Sequence, residues 1–394
     1  MAISPIATRE ALITSLMEAR FDRNEAERLA GHARPATGFE AVQAEAGDTP
    51  LGHSKLGGLP DLAPGQAWPI RAAYENAAAK IETAEKISAA YSATAASPFP
   101  YLDAAYAAQT RAQQAILGKP FALFFVAQIN FAEVAAANPD MAEYMPQTGL
   151  LSLFYDVLEM PWGFDPADRQ GFEVLWFDGN VEDLKSASQP ADLKAFILED
   201  LSHQRAAVQA AKAAQQADEQ RNALSKWLKP SPEFGFFIPE LYSLDAGTER
   251  LDALPVMTMP GVYGEMPQLE PEIAARHAPN DNTDLLLERW YEQSRLAEGL
   301  TQVGGHPYPV QDPDMRLQCQ LVTNGIYLGE AEGYRSARAK ELAAGAEDWV
   351  FLAQIASSEH GRMWGDSGML YIWIRKQDLA ARAFDKAWVI LQSY

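Results

Sequence analysis

The chain has little of three things: cysteine, positive charge and long apolar runs. Cys319 is the single cysteine among 394 residues, which excludes an intramolecular disulfide and fits a reducing compartment. No stretch approaches the roughly 20 consecutive apolar residues of a membrane-spanning helix. The first residues carry acidic side chains within an amphipathic pattern, which predicts a helix in place of a signal peptide. We therefore expect a cytoplasmic protein that does not enter a membrane.

Positive charge is scarce, because 32 lysine and arginine residues face 53 acidic residues and give a formal net charge of −21. Such a field repels nucleic-acid phosphates and anionic membrane surfaces, so we expect neither as a partner. If the partner is a protein, the charge favours a basic one. An acidic surface that only keeps the protein in solution is the simpler interpretation, and it stays open.

The clearest pattern is an internal repeat. Phe125-Val126-Ala127-Gln128-Ile129 returns 226 positions later as Phe351-Leu352-Ala353-Gln354-Ile355. A double glycine precedes each copy, at residues 57–58 and 304–305, and a glycine at 149 or 368 opens an aromatic run after it. The repeat predicts an internally duplicated α+β fold with two related, mainly antiparallel, sheet-containing halves and helical insertions.

Aromatic and β-branched runs predict the strands of both halves. They cover residues 121–129, 149–156 and 172–178 in the first half, and 349–355, 368–375 and 388–392 in the second. Residues 234–244 are a further candidate strand. We expect both faces of the 368–375 strand to be covered, because apolar residues occupy both.

Helices are predicted at 6–33, in an alanine-rich insertion at 71–117 that Ser97-Pro98-Phe99-Pro100 interrupts, along an arm at 190–228, and from a cap at residue 282 or 283 to Leu296. The segment from Pro255 to Pro271 is predicted to be a proline-rich loop. These patterns divide the chain into an N-terminal helical segment (1–48), a first half with its insertion (49–180), an arm with a connecting segment (181–300), and a second half (301–394).

No motif dictates a reaction. Gly365-Asp366-Ser367-Gly368 matches the nucleophile loop of chymotrypsin-like proteases, but the partner motifs are missing around all six histidines, so a turn is the simpler interpretation. Those histidines are His32, His53, His203, His277, His306 and His360. Two acidic groups, Asp165 with Asp168 and Glu173, and Asp312 with Asp314, lack calcium-site spacing. Phosphate-binding glycine motifs are absent as well. We predict no catalytic residue, no metal site and no cofactor.

A candidate ligand site follows from the repeat. If the halves pack about a pseudo-twofold axis, matching loops converge on a cleft with amide, aromatic and charged side chains, as small-ligand sites have. The predicted cleft residues are Lys55, Gln128, Asp156, His306, Gln354, Trp364, Asp366 and Tyr371. A glutamine in an apolar strand also serves to bond neighbouring loops, and that alternative stays open.

The C-terminal run from Trp364 to Gln392 resembles the signature of the YwqG-like family of bacterial domains of unknown function. Residues 54–60, Trp68-Pro69, Ala127-Gln128-Ile129-Asn130 and 304–312 extend the similarity over roughly residues 50–394. The resemblance implies an α+β fold with two related halves, in cytosolic proteins without an established reaction or catalytic residue. It also implies that some relatives act as immunity proteins beside secreted toxins.

The leading hypothesis is a non-catalytic scaffold that binds a small molecule or a protein, and immunity against a basic toxin is its sharper form. An alternative is a hydrolase or transferase in which Asp156 or Asp366 works with His306 or His360 as an acid–base pair. A third is an assembly component that dimerises through the 190–228 arm. The sequence does not indicate an oligomeric state.

Overall fold

The structure, a computed structural model, describes residues 6–19, 21–45, 48–93, 110–199, 202, 206, 209, 247–260, 269–276, 300–311, 314–358 and 362–394. Its strands are β1 (Arg34–Ala44), β2 (Lys55–Leu56), β3 (Asp61–Leu62), β4 (Ile70–Arg71), β5 (Phe121–Ala122), β6 (Phe124–Asn130), β7 (Leu150–Tyr155), β8 (Phe172–Phe177), β9 (Lys185–Ser186), β10 (Thr248–Thr258), β11 (Thr301–Val303), β12 (Trp349–Ala356), β13 (Met369–Arg375) and β14 (Trp388–Gln392).

The helices are α1 (Arg9–Glu18), α2 (Arg23–Gly31), α3 (Ala77–Ala93), α4 (Phe131–Ala137), α5 (Pro271–Arg276), α6 (Met315–Val322), α7 (Ala331–Arg335), α8 (Ala337–Leu342) and α9 (Lys376–Ala380). Residues 110–116 and 191–199 are also helical. The predicted strand at 234–244, the helix from 282, the break at 97–100 and most of the 190–228 arm lie outside the described residues.

Ten strands form one sheet in the order β14-β13-β12-β11-β1-β10-β2-β6-β7-β8. Each neighbouring pair in it is antiparallel. The expected mixed α+β class and antiparallel sheet are therefore confirmed. The six runs of aromatic and apolar residues predicted as strands are found as β5 with β6, β7, β8, β12, β13 and β14.

The two central strands were not expected. β1 and β10 pair along their whole length, from Arg34 opposite Thr258 to Ala44 opposite Thr248. β1 lies inside the N-terminal segment 1–48, which was predicted to be helical. The structure is helical there only up to Gly31. β10 carries the chain through Pro255 to Thr258, so the prediction of a loop beginning at Pro255 is wrong. Proline and glycine within these strands weaken the local signal, and the long pairing supplies the order that local preference lacks.

A group of four strands flanks this central pair on each side, and the two groups share their irregularities. The pairing register shifts between Phe125 and Ala127 in β6, and between Phe351 and Ala353 in β12. The double-glycine turns follow β2 and β11, and their glycines have positive φ, which an L side chain rarely adopts. Each turn leads into a loop that contacts a strand of its own group, β6 on one side and β12 on the other.

The edge strands β8 and β14 approach each other, so the sheet is nearly closed. Trp176 stacks on Phe384 with 4.1 Å between ring centroids, and Phe172 meets Trp388 edge to face at 5.2 Å. The Trp388 indole N–H also donates to the carbonyl of Gly163 at 2.9 Å. These contacts cover edges that would otherwise present unpaired backbone groups.

Two capped helices precede the sheet. Thr8 caps α1, and Asp22 with Glu25 forms a capping box on α2. Their apolar faces form a separate cluster that includes Leu12, Leu16, Met259 and Ile273. The predicted helices over 6–33 are confirmed to Gly31. Among the described helices, none combines the length and the apolar character that crossing a bilayer requires.

Candidate functional site

The paired glutamines bond to the protein's own loops. Gln128 and Gln354 are fully buried in β6 and β12. Gln128 Oε1 accepts from the amide of Asp61 at 2.9 Å, and Gln354 Oε1 accepts from the amide of Tyr308 at 3.0 Å. Their Nε2 groups donate to backbone carbonyls at 2.7 and 3.0 Å. Each glutamine therefore fixes the loop that follows a double glycine.

Two charged residues of the predicted cleft belong to buried ion pairs. Lys55 Nζ lies 2.9 Å from Asp61 Oδ2. Arg71 Nε lies 2.6 Å from Asp156 Oδ2, which also accepts from the Tyr74 hydroxyl at 3.1 Å. Burial together with the nearby Asp156 carboxylate raises the pKa of Tyr74. Both pairs satisfy charges that water does not reach.

The remaining predicted residues divide between the interior and the surface. The buried Trp364 indole donates to the carbonyl of Ala356 at 3.2 Å, and the buried Tyr371 hydroxyl donates to the carbonyl of Tyr308 at 2.5 Å. Asp366 is exposed in a turn. A ligand-binding role for these residues stays a prediction.

The candidates for acid–base chemistry do not contact one another in the described part of the chain. Asp156 bonds to Arg71 and Tyr74, whereas His306 Nε2 donates to the carbonyl of His32 at 2.9 Å. Ser367 lies in the predicted turn with a φ of 50°. His203, His277, His360 and Asp312 lie outside the described residues.

The acidic group near Trp162 is a structured turn. Asp168 Oδ2 accepts from the amides of Gly163, Phe164 and Asp165 at 2.8, 3.1 and 3.2 Å. Burial raises the pKa of Asp168. Within the described ranges, no group of three or more histidine, cysteine, aspartate or glutamate side chains has an arrangement that could hold a metal ion.

A cavity of about 760 Å³, which we call the rim cavity, lies at one end of the sheet. It forms where β1 and β12 begin and where β11 and β13 end. The segment 142–146 and the turn at Gly305 form part of its wall. Side chains of helices α6 and α9 also line the cavity. The Tyr144 hydroxyl donates to the carbonyl of Pro35, which ties the 142–146 segment to the start of β1. Of the predicted cleft residues, His306 lines this cavity.

The described charged residues of the rim cavity are mainly basic. They are the cationic Arg34, Arg316, Lys376 and Arg382 and the acidic Glu143 and Glu347. In a chain with a net charge of −21, this is a local reversal of sign.

His306 is a buried residue of the rim cavity, and its pKa is lowered mainly by that burial. Burial, with smaller contributions from Arg34 and Arg316, lowers the pKa of His306 to about 4. Its imidazole is therefore neutral at pH 7, and its Nε2 carries the proton that bonds to the carbonyl of His32.

The floor of the rim cavity is aromatic. Trp349, Phe351 and Trp373 line it, and each is at least nine-tenths buried. The Trp373 indole N–H is buried and has no hydrogen-bond partner within the part of the chain that the structure describes. An apolar, aromatic floor below a mainly basic wall suits a small ligand that combines an apolar body with an acidic group.

The sequence did not predict this group of cationic residues, because Arg34, Arg316 and the 376–382 segment lie far apart along the chain and only the sheet brings them together. One part of this positive charge is visible in the sequence. Residues 375–386 contain Arg375, Lys376, Arg382 and Lys386 against Asp378 and Asp385, a local basic excess in an acidic chain.

The comparison with known proteins concerns the family to which the chain belongs. No curated protein matches the chain. The family described as Domain of unknown function (DUF1963) matches residues 54–393, which is most of the chain and includes the strands from β2 to β14. The chain therefore belongs to the Domain of unknown function (DUF1963) family.

Proposed function

We propose that this chain is a non-catalytic binding protein that holds a small anionic ligand in the rim cavity. The observation that carries the proposal is the reversal of charge sign there, with Arg34, Arg316, Lys376 and Arg382 around an aromatic floor. Opposite charges attract a ligand and orient it, while the apolar floor removes its body from water. The volume of about 760 Å³ is in the range of small-ligand sites.

Several finer statements belong to the same proposal. The strands on either side of the central pair derive from an internal duplication, which the matching glutamine bonds and register shifts support. The assignment to the YwqG-like family, a bacterial source and a cytoplasmic location rest on the sequence resemblance and on the low cysteine content.

The acidic outer surface supports a second candidate. A net charge of −21 favours association with a basic protein, such as a toxin that an immunity protein neutralises. A pull-down at low ionic strength tests it, because a complex formed by this surface releases its basic partner when salt is added.

A matched pair of ligands tests the binding proposal. Cyclohexylacetate carries a carboxylate, and 2-cyclohexylethanol is its uncharged analogue. We expect calorimetry or NMR to give tighter binding of the acid, and we expect Lys376→Glu to weaken it by about tenfold, since the variant replaces an attractive charge with a repulsive one. Lys340→Glu is the control, because Lys340 is an exposed lysine of α8 that does not line the cavity. Equal binding of acid and alcohol, or equal effects of the two variants, contradicts the proposal.

A further inference from the structure

The aromatic floor of the rim cavity has a counterpart in the other group of four strands. We call the group β2, β6, β7 and β8 the first side of the sheet, and the group β11 to β14 the second side. Phe351 and Trp373 lie 5.5 Å apart with 58° between their ring planes. Phe125 and Phe154, paired across β6 and β7, lie 5.5 Å apart with 59° between their planes. Within each pair, the two residues are cross-strand partners next to the register shift of their strands. The two groups of strands therefore carry aromatic pairs with matching spacing and tilt.

On the first side, the protein covers that surface with its own indole. Trp68 meets Phe154 edge to face, with 5.3 Å between centroids. Its N–H donates to the carbonyl of Leu123 at 2.7 Å. Leu62, Leu175 and the Phe125–Phe154 pair belong to the same apolar cluster. The place beside this ring pair is thus one that an indole fills.

On the second side, the chain takes another route. After Gly304-Gly305 it continues through His306 and Pro309 to α6, and Phe351 and Trp373 line the rim cavity. The buried Trp373 N–H has no partner among the described residues. Trp68 covers the aromatic pair of the first side, whereas the matching pair of the second side borders a cavity.

We infer that the rim cavity takes a planar aromatic anion, whose ring lies against the Phe351–Trp373 pair and whose acidic group faces the cationic wall that includes Lys376. This inference rests on the proposed function and specifies its ligand class. The ring makes the edge or offset contacts that aromatic side chains prefer, as Trp68 does on the first side.

The test compares phenylacetate with cyclohexylacetate, which share a carboxylate and a six-membered ring and differ in aromaticity. The readout is the indole N–H resonance of Trp373 in the ¹⁵N-labelled full-length protein, assigned with Trp373→Phe. We expect phenylacetate to bind about three- to tenfold more tightly and to move this resonance, because aromatic contacts add to area burial.

Two neighbouring alanines provide a blocking variant and its control. Ala380 and Ala381 are both exposed. Ala380 lines the rim cavity, and Ala381 does not. Ala380→Trp places an indole at the cavity and is expected to abolish phenylacetate binding, while Ala381→Trp retains it. Circular dichroism checks that both variants fold.

The outcomes separate this inference from the proposed function. If phenylacetate binds no more tightly than cyclohexylacetate and the Trp373 resonance stays in place, the aromatic ligand class is overturned, while charge-dependent binding of both acids still supports an anion site. If neither acid binds the wild-type protein, both proposals fall. Binding that Ala380→Trp leaves unchanged places the ligand elsewhere and overturns the inference.

Discussion

The burial of His306 in the wall of the rim cavity is expected to make the stability of the protein depend on pH. His306 is buried, and Arg34, Arg316 and His32 are the neighbouring groups that act on it, so its pKa falls from 6.5 to about 4. Between these values the unfolded chain binds a proton at this position and the folded chain does not. The free energy of unfolding therefore decreases as pH falls from about 6.5 to about 4.

Replacing His306 tests this linkage. A shift of this size corresponds to about 3 kcal/mol between the two pH values. His306→Gln keeps a donor for the carbonyl of His32 and removes the titration, so its stability should fall less over that pH range. Urea denaturation at a series of pH values measures the difference from wild type. His53→Gln, at a half-exposed histidine outside the cavity, is the control, and parallel curves for wild type and His306→Gln would contradict the linkage.

At the scale of elements, the sequence was informative where strands are rich in aromatic residues. β6, β7, β12 and β13 are buried on both faces, and their near-continuous apolar runs predict them well. β1 and β10 are only partly buried and contain proline or glycine, so their sequences predict strands poorly. Their pairing is a long-range contact, which local patterns do not contain.

The glutamine of β6 joins a strand to a loop, and its removal is predicted to cost stability. Gln128→Ala leaves the amide of Asp61 and the carbonyl of His53 without their side-chain partner inside the protein. We expect a loss of about 2–4 kcal/mol in the free energy of unfolding, because buried polar groups lose a partner that water does not replace. Denaturant unfolding measures it.

Gln66→Ala is the matched control, since Gln66 is exposed and, among the described residues, its side chain bonds only to the neighbouring carbonyl of Ala67. Its effect should stay within about 0.5 kcal/mol. A similar small effect for Gln128→Ala would show that the loop does not depend on the amide.

At the scale of the molecule, aromatic contacts between β8 and β14 hold the sheet nearly closed. Trp388 contributes an edge-to-face contact with Phe172 and a hydrogen bond to the carbonyl of Gly163. We expect Trp388→Leu to lower the free energy of unfolding by about 2–4 kcal/mol, because it removes ring contacts and leaves a buried carbonyl unpaired.

Trp162→Leu is the comparison, because Trp162 is 43% exposed. It should cost less than about 1 kcal/mol by thermal or denaturant unfolding. Equal effects of the two substitutions would argue against a closing role for Trp388.

The sequence by itself determined the α+β class, the strands with aromatic runs, the N-terminal helices and the turn at Gly365-Asp366-Ser367-Gly368, because each depends on residues close together in the chain. It also indicated the paired glutamines. Only the tertiary structure decided what those glutamines bond to, since the partner loops lie far from them along the chain.

The tertiary structure likewise decided where positive charge collects. Arg34, Arg316 and Lys376 come from the start of β1, from α6 and from the start of α9, and the sheet gathers them around one cavity. Strand order fixes which ends of which strands meet. Because that order follows from long-range pairing, the composition of the rim cavity emerges only when the sheet has formed.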